Sequence, residues 1–123
     1  MSAKRVLVVD DEPDVRSMYS DVLADAGFDV MAASSGEECL KTLNAADGRF
    51  DLVLLDVLLP EQTGYDVLDV IRAAWSELPV VLVSGKVDKL TRNALDALGA
   101  AEFLEKPVAP EVLVETVKRH ARR

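Results

Sequence analysis

Cysteine, histidine and basic charge are all scarce in this chain, and each shortage narrows what it can be. Cysteine occurs once in 123 residues, at Cys39, so no intramolecular disulfide can form. That thiol falls in an expected helix and reads as a small core residue. Histidine also occurs once, at His120, in a basic tail where a surface position is expected and a phosphocarrier role is not. No apolar run approaches the length of a membrane span. The start, "MSAKRVLVV", lacks the long apolar stretch and small-residue cleavage site of a signal peptide. A cytoplasmic location without membrane contact is therefore expected. Basic residues are outnumbered, 14 Lys and Arg against 22 Asp and Glu, for a net charge of -8. That balance argues against direct nucleic-acid binding, because phosphate backbones need Lys and Arg. It suits a basic partner or a cation.

What the chain has instead is alternation. Hydrophobic residues make up 50% of it, enough for a proper core in one domain spanning residues 1–123. "RVLVVD" (5–10), "FDLVLLD" (50–56) and "LPVVLVS" (78–84) read as strands, the first two apolar enough to be buried on both faces. "FDVMAA" (28–33) reads as another strand, and "AEFLEK" (101–106) as a fifth, shorter one. Helical stripes run between them. Val15, Met18, Tyr19, Val22, Leu23 and Ala26 follow Pro13 and stop at Gly27. Ser35 and Glu38 form a candidate capping box before Cys39, Leu40 and Leu43. Val67, Leu68, Ile71 and Trp75 follow Gly64. Asp88 is a candidate cap before Leu90, Ala94, Leu95 and Leu98, with Gly99 after them. Val112, Leu113 and Val117 follow Pro110 and lead into basic residues that suit a helix C-terminus. Strand and helix thus alternate five times. The pattern predicts an α/β fold, a doubly wound, five-stranded parallel sheet with helices on both faces. The common strand order for such a sheet is 2-1-3-4-5.

In sheets of this kind, ligands bind beyond the C-terminal ends of the strands, where the strand order reverses. Here that point lies between the first and third strands. The first strand ends at Asp10 and Asp11, the third at Asp56, the fourth at Ser84 and the fifth at Lys106. Each residue alone has an ordinary reading. Asp11 can be a helix cap, Asp56 a turn residue, Ser84 part of a loop, and Lys106 a solvated amine. Their joint placement at one edge points further. In "VLVVDDEPD" (6–14) an apolar strand runs straight into like charges that repel one another unless a cation joins them. Hard carboxylate oxygens suit Mg2+, which is commonly shared with phosphate oxygens. A carboxylate can itself accept a phosphoryl group, and Asp56 is the best placed to do so, between the acids and the Ser84–Lys106 pair.

The residues "VVDDE" (8–12), "LLDVLLP" (54–60) with Gly64, "LVSG" (82–85) and "EKP" (105–107) resemble the receiver domain of bacterial two-component response regulators, the CheY-like family. The resemblance covers essentially the whole chain. It implies a flavodoxin-like (βα)5 domain and no effector domain in this chain. It implies that Asp56 accepts a phosphoryl group from a sensor histidine kinase or a phosphotransfer protein. Asp10, Asp11, Asp56 and the Leu58 backbone carbonyl would surround Mg2+, while Ser84 and Lys106 would contact the phosphoryl oxygens. The Lys106–Pro107 peptide is usually cis in the family. Ser84 and Phe103 match the family's switch pair, through which the surface of helix 4, strand 5 and helix 5 changes and regulates a downstream protein target. The protein would then catalyse only its own phosphorylation and dephosphorylation, as a monomer or as a dimer promoted by phosphorylation. A plain core residue is the ordinary reading of Phe103.

The sequence also departs from the family pattern and has rivals. Leu59 stands where the family often has Met, and Leu58 and Lys86 occupy positions that tune how fast the aspartyl phosphate is lost. An apolar Leu58 cannot orient an attacking water. A flavin or nucleotide module would want a loop rich in Gly, Ser or Thr after the first strand, and this one is acidic. Gly85-Lys86 is no P-loop, since position 80 is Val. A haloacid-dehalogenase-like phosphatase would want an acid at position 58, which is Leu. A receiver-like interaction scaffold that works without phosphorylation is the alternative that survives.

Overall fold

A computed structural model describes residues 3–85 and 95–122. Five strands form one parallel sheet: β1 (Arg5–Val9), β2 (Asp29–Ala33), β3 (Leu52–Asp56), β4 (Val80–Ser84) and β5 (Glu102–Glu105). Their order is β2-β1-β3-β4-β5, as the alternation predicts. The described helices are α1 (Pro13–Asp25), α2 (Gly36–Ala45), α3 (Gly64–Ala74), α4 (Leu95–Leu98) and α5 (Pro110–His120). Lys86, Asp88, Leu90 and Ala94 lie outside the described residues.

The period of two along each strand divides the core into two layers. Leu7, Val9, Val53, Leu55, Val80, Leu82 and Phe103 point to the side covered by α2 and α3. Val6, Val8, Leu52, Leu54, Val81, Val83 and Leu104 point to the side covered by α1 and α5. Each fully buried Val or Leu contributes about 1.5–3 kcal/mol relative to an exposed one. β2 is an edge strand, and its exposed Asp29, Met31 and Ala32 reflect that position. Cys39 is buried as expected, and burial pushes its thiol up to about 12, which leaves it inert at neutral pH.

Two helical stripes are narrower than the sequence pattern suggests. In α1 only Tyr19 and Leu23 are fully buried, and Met18 is 45% exposed. In α5 the buried set is Leu113, Thr116 and Val117, spaced i, i+3 and i+4. Val112 stands about 100° around the helix from Leu113 and faces solvent instead of the core. The candidate capping box at α2 is shifted by one residue. Ser35 Oγ accepts from the Glu38 N–H, but Glu38 Oε1 reaches back to the Ser34 N–H. A complete box stands at α3, where Thr63 and Asp66 cap each other's backbone N–H groups.

The loop before β3 is gripped from both ends of the chain. Arg122 donates from Nη2 to Gly48 O at 2.7 Å, from Nε to Phe50 O at 2.9 Å, and from its backbone N–H to Asp51 O at 3.0 Å. Arg5 Nη1 donates to Arg49 O, and its guanidinium lies 4.5 Å from the Phe50 ring centroid. Asp51 Oδ2 accepts from the Arg5 N–H at 2.7 Å. His120 is half-buried, with Nε2 2.7 Å from Glu102 Oε1, so it is less exposed than a surface tail residue would be.

Candidate functional site

Side-chain parity brings the site together. Asp10 and Asp56 continue the alternation of Val6–Val8 and Leu52–Leu54, so both leave their strands on the α1/α5 side. Lys106 continues the parity of Leu104 to the same side. Its backbone N–H donates to Ser84 O at 2.8 Å, which ties the end of β5 to the end of β4. The Lys106–Pro107 peptide is cis.

The two buried acids are held in the same way. Asp10 Oδ1 accepts from the Glu12 N–H at 2.9 Å, and Asp56 Oδ1 accepts from the Leu58 N–H at 3.1 Å. Each is an Asx turn, in which a carboxylate bonds the backbone two residues on and so sets the angle at which the chain leaves the strand. The other oxygens, Asp10 Oδ2 and Asp56 Oδ2, both lie 3.1 Å from Lys106 Nζ. Glu12 Oε1 stands further off, at 4.0 Å from the same ammonium. Asp11 is exposed, in contrast to its neighbour.

Burial raises the Asp56 carboxyl above the ordinary carboxylate range. The Lys106 hydrogen bond opposes this, and the Asp10 charge adds to the rise. Burial pulls the Lys106 ammonium down, but hydrogen bonds and charge from Asp10 and Asp56 outweigh it, and the group is pushed up to about 12. The amine is therefore a permanent cation at neutral pH.

Oxygens of Asp10, Asp11 and Asp56 lie within 4.8 Å of one another. These hard donors fit a divalent cation of the Mg2+ type. Two of the three acids are buried with a single ammonium between them, so the cluster carries negative charge for a second cation to meet. The cleft above them has a volume of about 350 Å³ and is lined by Asp11, Glu12, Asp56, Leu58, Gly85 and Lys106. Leu58 forms its exposed lip.

A close backbone approach shapes the floor below Asp56. Gly64 N–H donates to Val57 O at 2.7 Å, and a Cβ at Gly64 would stand 2.5 Å from Asp56 O. Only glycine fits there, which explains its place in the motif.

Ser84 and Phe103 share the opposite parity, toward α3. Leu82 is paired with Phe103 and Ser84 with Glu105, so the two residues are diagonal neighbours on one face of the sheet. The Phe103 ring is 1% exposed, with its centroid 6.3 Å from that of Tyr65.

Two neighbours of the site carry no signal in the sequence motifs. Tyr19 reads only as part of a core stripe, yet it lines a second cleft with Lys106, Pro107 and Val108. Burial raises its phenol, and the charges of Lys106, Asp10, Asp56 and Glu12 act on it. No sequence motif marks Arg16, yet its Nη1 donates to Asp10 O at 2.8 Å. A cation on the first turn of the helix that follows the acids is the pattern that would have pointed to it.

Known proteins share this sequence and fold. The family described as the response regulator receiver domain matches residues 6–118. The DNA-binding response regulator MtrA of Mycolicibacterium smegmatis is 38% identical over 98% of this chain and 51% of its own length. The alkaline phosphatase synthesis transcriptional regulatory protein PhoP of Bacillus subtilis is 34% identical over 98% of the chain and 49% of its own length. The chain thus spans about half the length of these curated relatives. Among solved structures, chemotaxis protein CheY4 of Vibrio cholerae aligns with a TM-score of 0.89 at 32% identity, covering 97% of this chain and 99% of that one. Response regulator TrrA of Thermotoga maritima, solved in complex with Mg(2+)-BeF, aligns with a TM-score of 0.83 at 34% identity, covering 94% and 97%. With the family match, the sequence and the fold in agreement along nearly its whole length, the chain belongs to the response regulator receiver domains of two-component signalling.

Proposed function

We propose that Asp56 accepts a phosphoryl group from the phosphohistidine of a sensor histidine kinase or phosphotransfer protein. The observation that carries this is the position of Asp56: a buried carboxylate, 3.1 Å from a permanent cation, beside two further acids, at the base of an open cleft. An Asp56 carboxylate oxygen attacks phosphorus. The P–N bond to the donor imidazole breaks, and its electron pair leaves with the imidazole. Little proton chemistry is needed, so the protein's task is positioning and charge neutralisation.

The Leu58 N–H holds Asp56 Oδ1 and thereby aims the carboxylate. Lys106, 3.1 Å from Asp56 Oδ2, is proposed to contact the incoming phosphoryl oxygens, and so is the hydroxyl of Ser84 at the adjoining strand end. Asp10, Asp11, Asp56 and the Leu58 carbonyl would hold Mg2+, which when bound supplies charge neutralisation at the phosphoryl oxygens.

The phosphoryl group adds negative charge and acceptor oxygens, and so biases an existing equilibrium. Ser84 and Phe103, diagonal on one sheet face, are proposed as the pair that transmits it to α4, β5 and α5. The Phe103 ring already lies inside the core, so phosphorylation is proposed to favour this arrangement over others rather than to create it. The output is contact with a protein target, as a monomer or a phosphorylation-promoted dimer, and the proposed setting is the cytoplasm. No described helix is long and apolar enough to cross a membrane.

The test is intact mass after incubation with a small-molecule phosphodonor, with and without Mg2+, beside Asp56→Asn. One added phosphoryl group that needs both Mg2+ and Asp56 is expected. If folded protein gains no mass, and a stable phosphoryl mimic also fails to bind, the phosphoryl reading falls and the interaction scaffold replaces it.

A further inference from the structure

We propose that Arg16 is a positioning residue for the metal ligands at the end of β1, fixing the Asp10 backbone so that Asp10 and Asp11 are presented to a divalent cation. This role rests on the Mg2+-dependent reading above.

The turn between β1 and α1 has reasons to be loose. Asp10, Asp11, Glu12 and Asp14 crowd four like charges into five residues. Glu12 at the N-cap makes no side-chain capping bond, and Pro13 supplies no N–H. Beyond the Asp10–Glu12 bond, the turn needs a further restraint. Arg16, in the first turns of α1, reaches back to donate from Nη1 to Asp10 O at 2.8 Å. Its own N–H donates to Glu12 O at 2.9 Å, so the residue is rooted in the helix.

Asp10 is then tied at four points. Its N–H donates to Ala33 O, Oδ1 accepts from Glu12, Oδ2 meets Lys106, and its carbonyl accepts from Arg16. The Lys106 contact competes for the carboxylate that a metal would use. The Arg16 contact does not, because it falls on the carbonyl and leaves the carboxylate free to ligate. Arg16 therefore constrains the ligand without blocking it, as the partners behind metal ligands commonly do.

Charge alone predicts the opposite effect. A guanidinium near an acidic site repels a divalent cation, so its removal should tighten binding. If Arg16 acts by positioning, its removal weakens binding. The sign of the change separates the two.

The experiment is calorimetric titration of the metal-free protein with MgCl2, for wild type, Arg16→Met and Arg16→Lys, with melting temperatures recorded alongside. Arg16→Met is expected to weaken Mg2+ binding about tenfold, in the range seen for lost partners of metal ligands, with little change in the metal-free melting temperature. Arg16→Lys, which keeps donors and the charge but not the planar fork, is expected to recover part of the loss. If Arg16→Met does not fold, Arg16→Gln is read in its place, since Gln retains the helix propensity. Unchanged or tighter binding by the variant, with wild type binding normally, overturns the role of Arg16 alone. A folded wild type that takes up no Mg2+ overturns the metal reading, and this role with it.

Discussion

Lys106 Nζ and Asp56 Oδ2 stand 3.1 Å apart, and Asp10 Oδ2 lies equally near the same nitrogen. The ammonium thus bridges two acids that are also candidate metal ligands. It acts as an internal cation for a pair of buried carboxylates that could not otherwise share the site. Lys106→Met removes it. In the absence of Mg2+ that variant is expected to lose about 3–5 kcal/mol, the usual cost of leaving buried charge unpaired. It should also regain more melting temperature on Mg2+ addition than wild type does, because the metal no longer competes with an amine. Thermal unfolding in chelator and in excess Mg2+ reads both effects.

Mg2+ binding should appear as stability. A ligand that binds only the folded state raises the melting temperature as its concentration passes the dissociation constant. Wild type is expected to melt higher in millimolar-range Mg2+ than in chelator. Asp11→Asn should shrink that rise while changing the metal-free value little, because Asp11 is exposed. No response in wild type would remove the metal from the account.

Gly64 is expected to tolerate no side chain. In Gly64→Ala the new Cβ would meet Asp56 O at 2.5 Å and Val57 Cα at 2.8 Å, both backbone atoms. Either α3 or the segment bearing Asp56 must move. A loss of about 1–3 kcal/mol is expected, as for other forced overpacking, and chemical denaturation measures it. Phosphoryl uptake on Asp56 should fall as well.

Asp56 sets a pH dependence in the metal-free protein. Burial holds its folded carboxyl above the ordinary value, so the folded state binds the proton more tightly than the unfolded chain. Stability from this group is therefore lost as pH rises from the ordinary carboxyl value through the raised one. Lys106, pushed up to about 12, stays charged throughout that range and adds no slope. Asp56→Asn cannot ionise. In chelator it is expected to melt a few degrees above wild type at neutral pH, and the gap should close as pH falls through the window. Paired melting curves across pH decide this. A constant gap would mean that Asp56 is not the group responsible.

Much of this was legible in residue order. Continuous apolar runs at 6–9 and 52–55, each ending in an acid, mark a parallel sheet with a reactive edge, and the structure puts those acids side by side. Helix faces were less legible. Met18 and Val112 fit a helical stripe on spacing alone, but a helix lying on a sheet buries only a narrow strip, and both fall outside it. The roles of Arg16 and Tyr19 were not legible, because a contact between a side chain and a distant backbone or strand end leaves no period in the sequence. The use of Gly64 was visible as a motif letter, but its reason is a three-dimensional approach to Asp56.

The grip of Arg5 and Arg122 on Asp51 brings the start of β1 and the end of the described chain to a single residue. Both lie at the edge of the sheet opposite Asp56, since parallel strands begin at one end and finish at the other. The fold is topologically close to a closed loop. Residues 5 and 122 could therefore be joined by a short linker in a circular permutant of this stretch, with new ends opened in an exposed turn such as the one at Gly27. The same stretch is suited to grafting into a surface loop of a host protein, which would feel little spreading force from the two attachment points and would leave the acidic cleft facing outward.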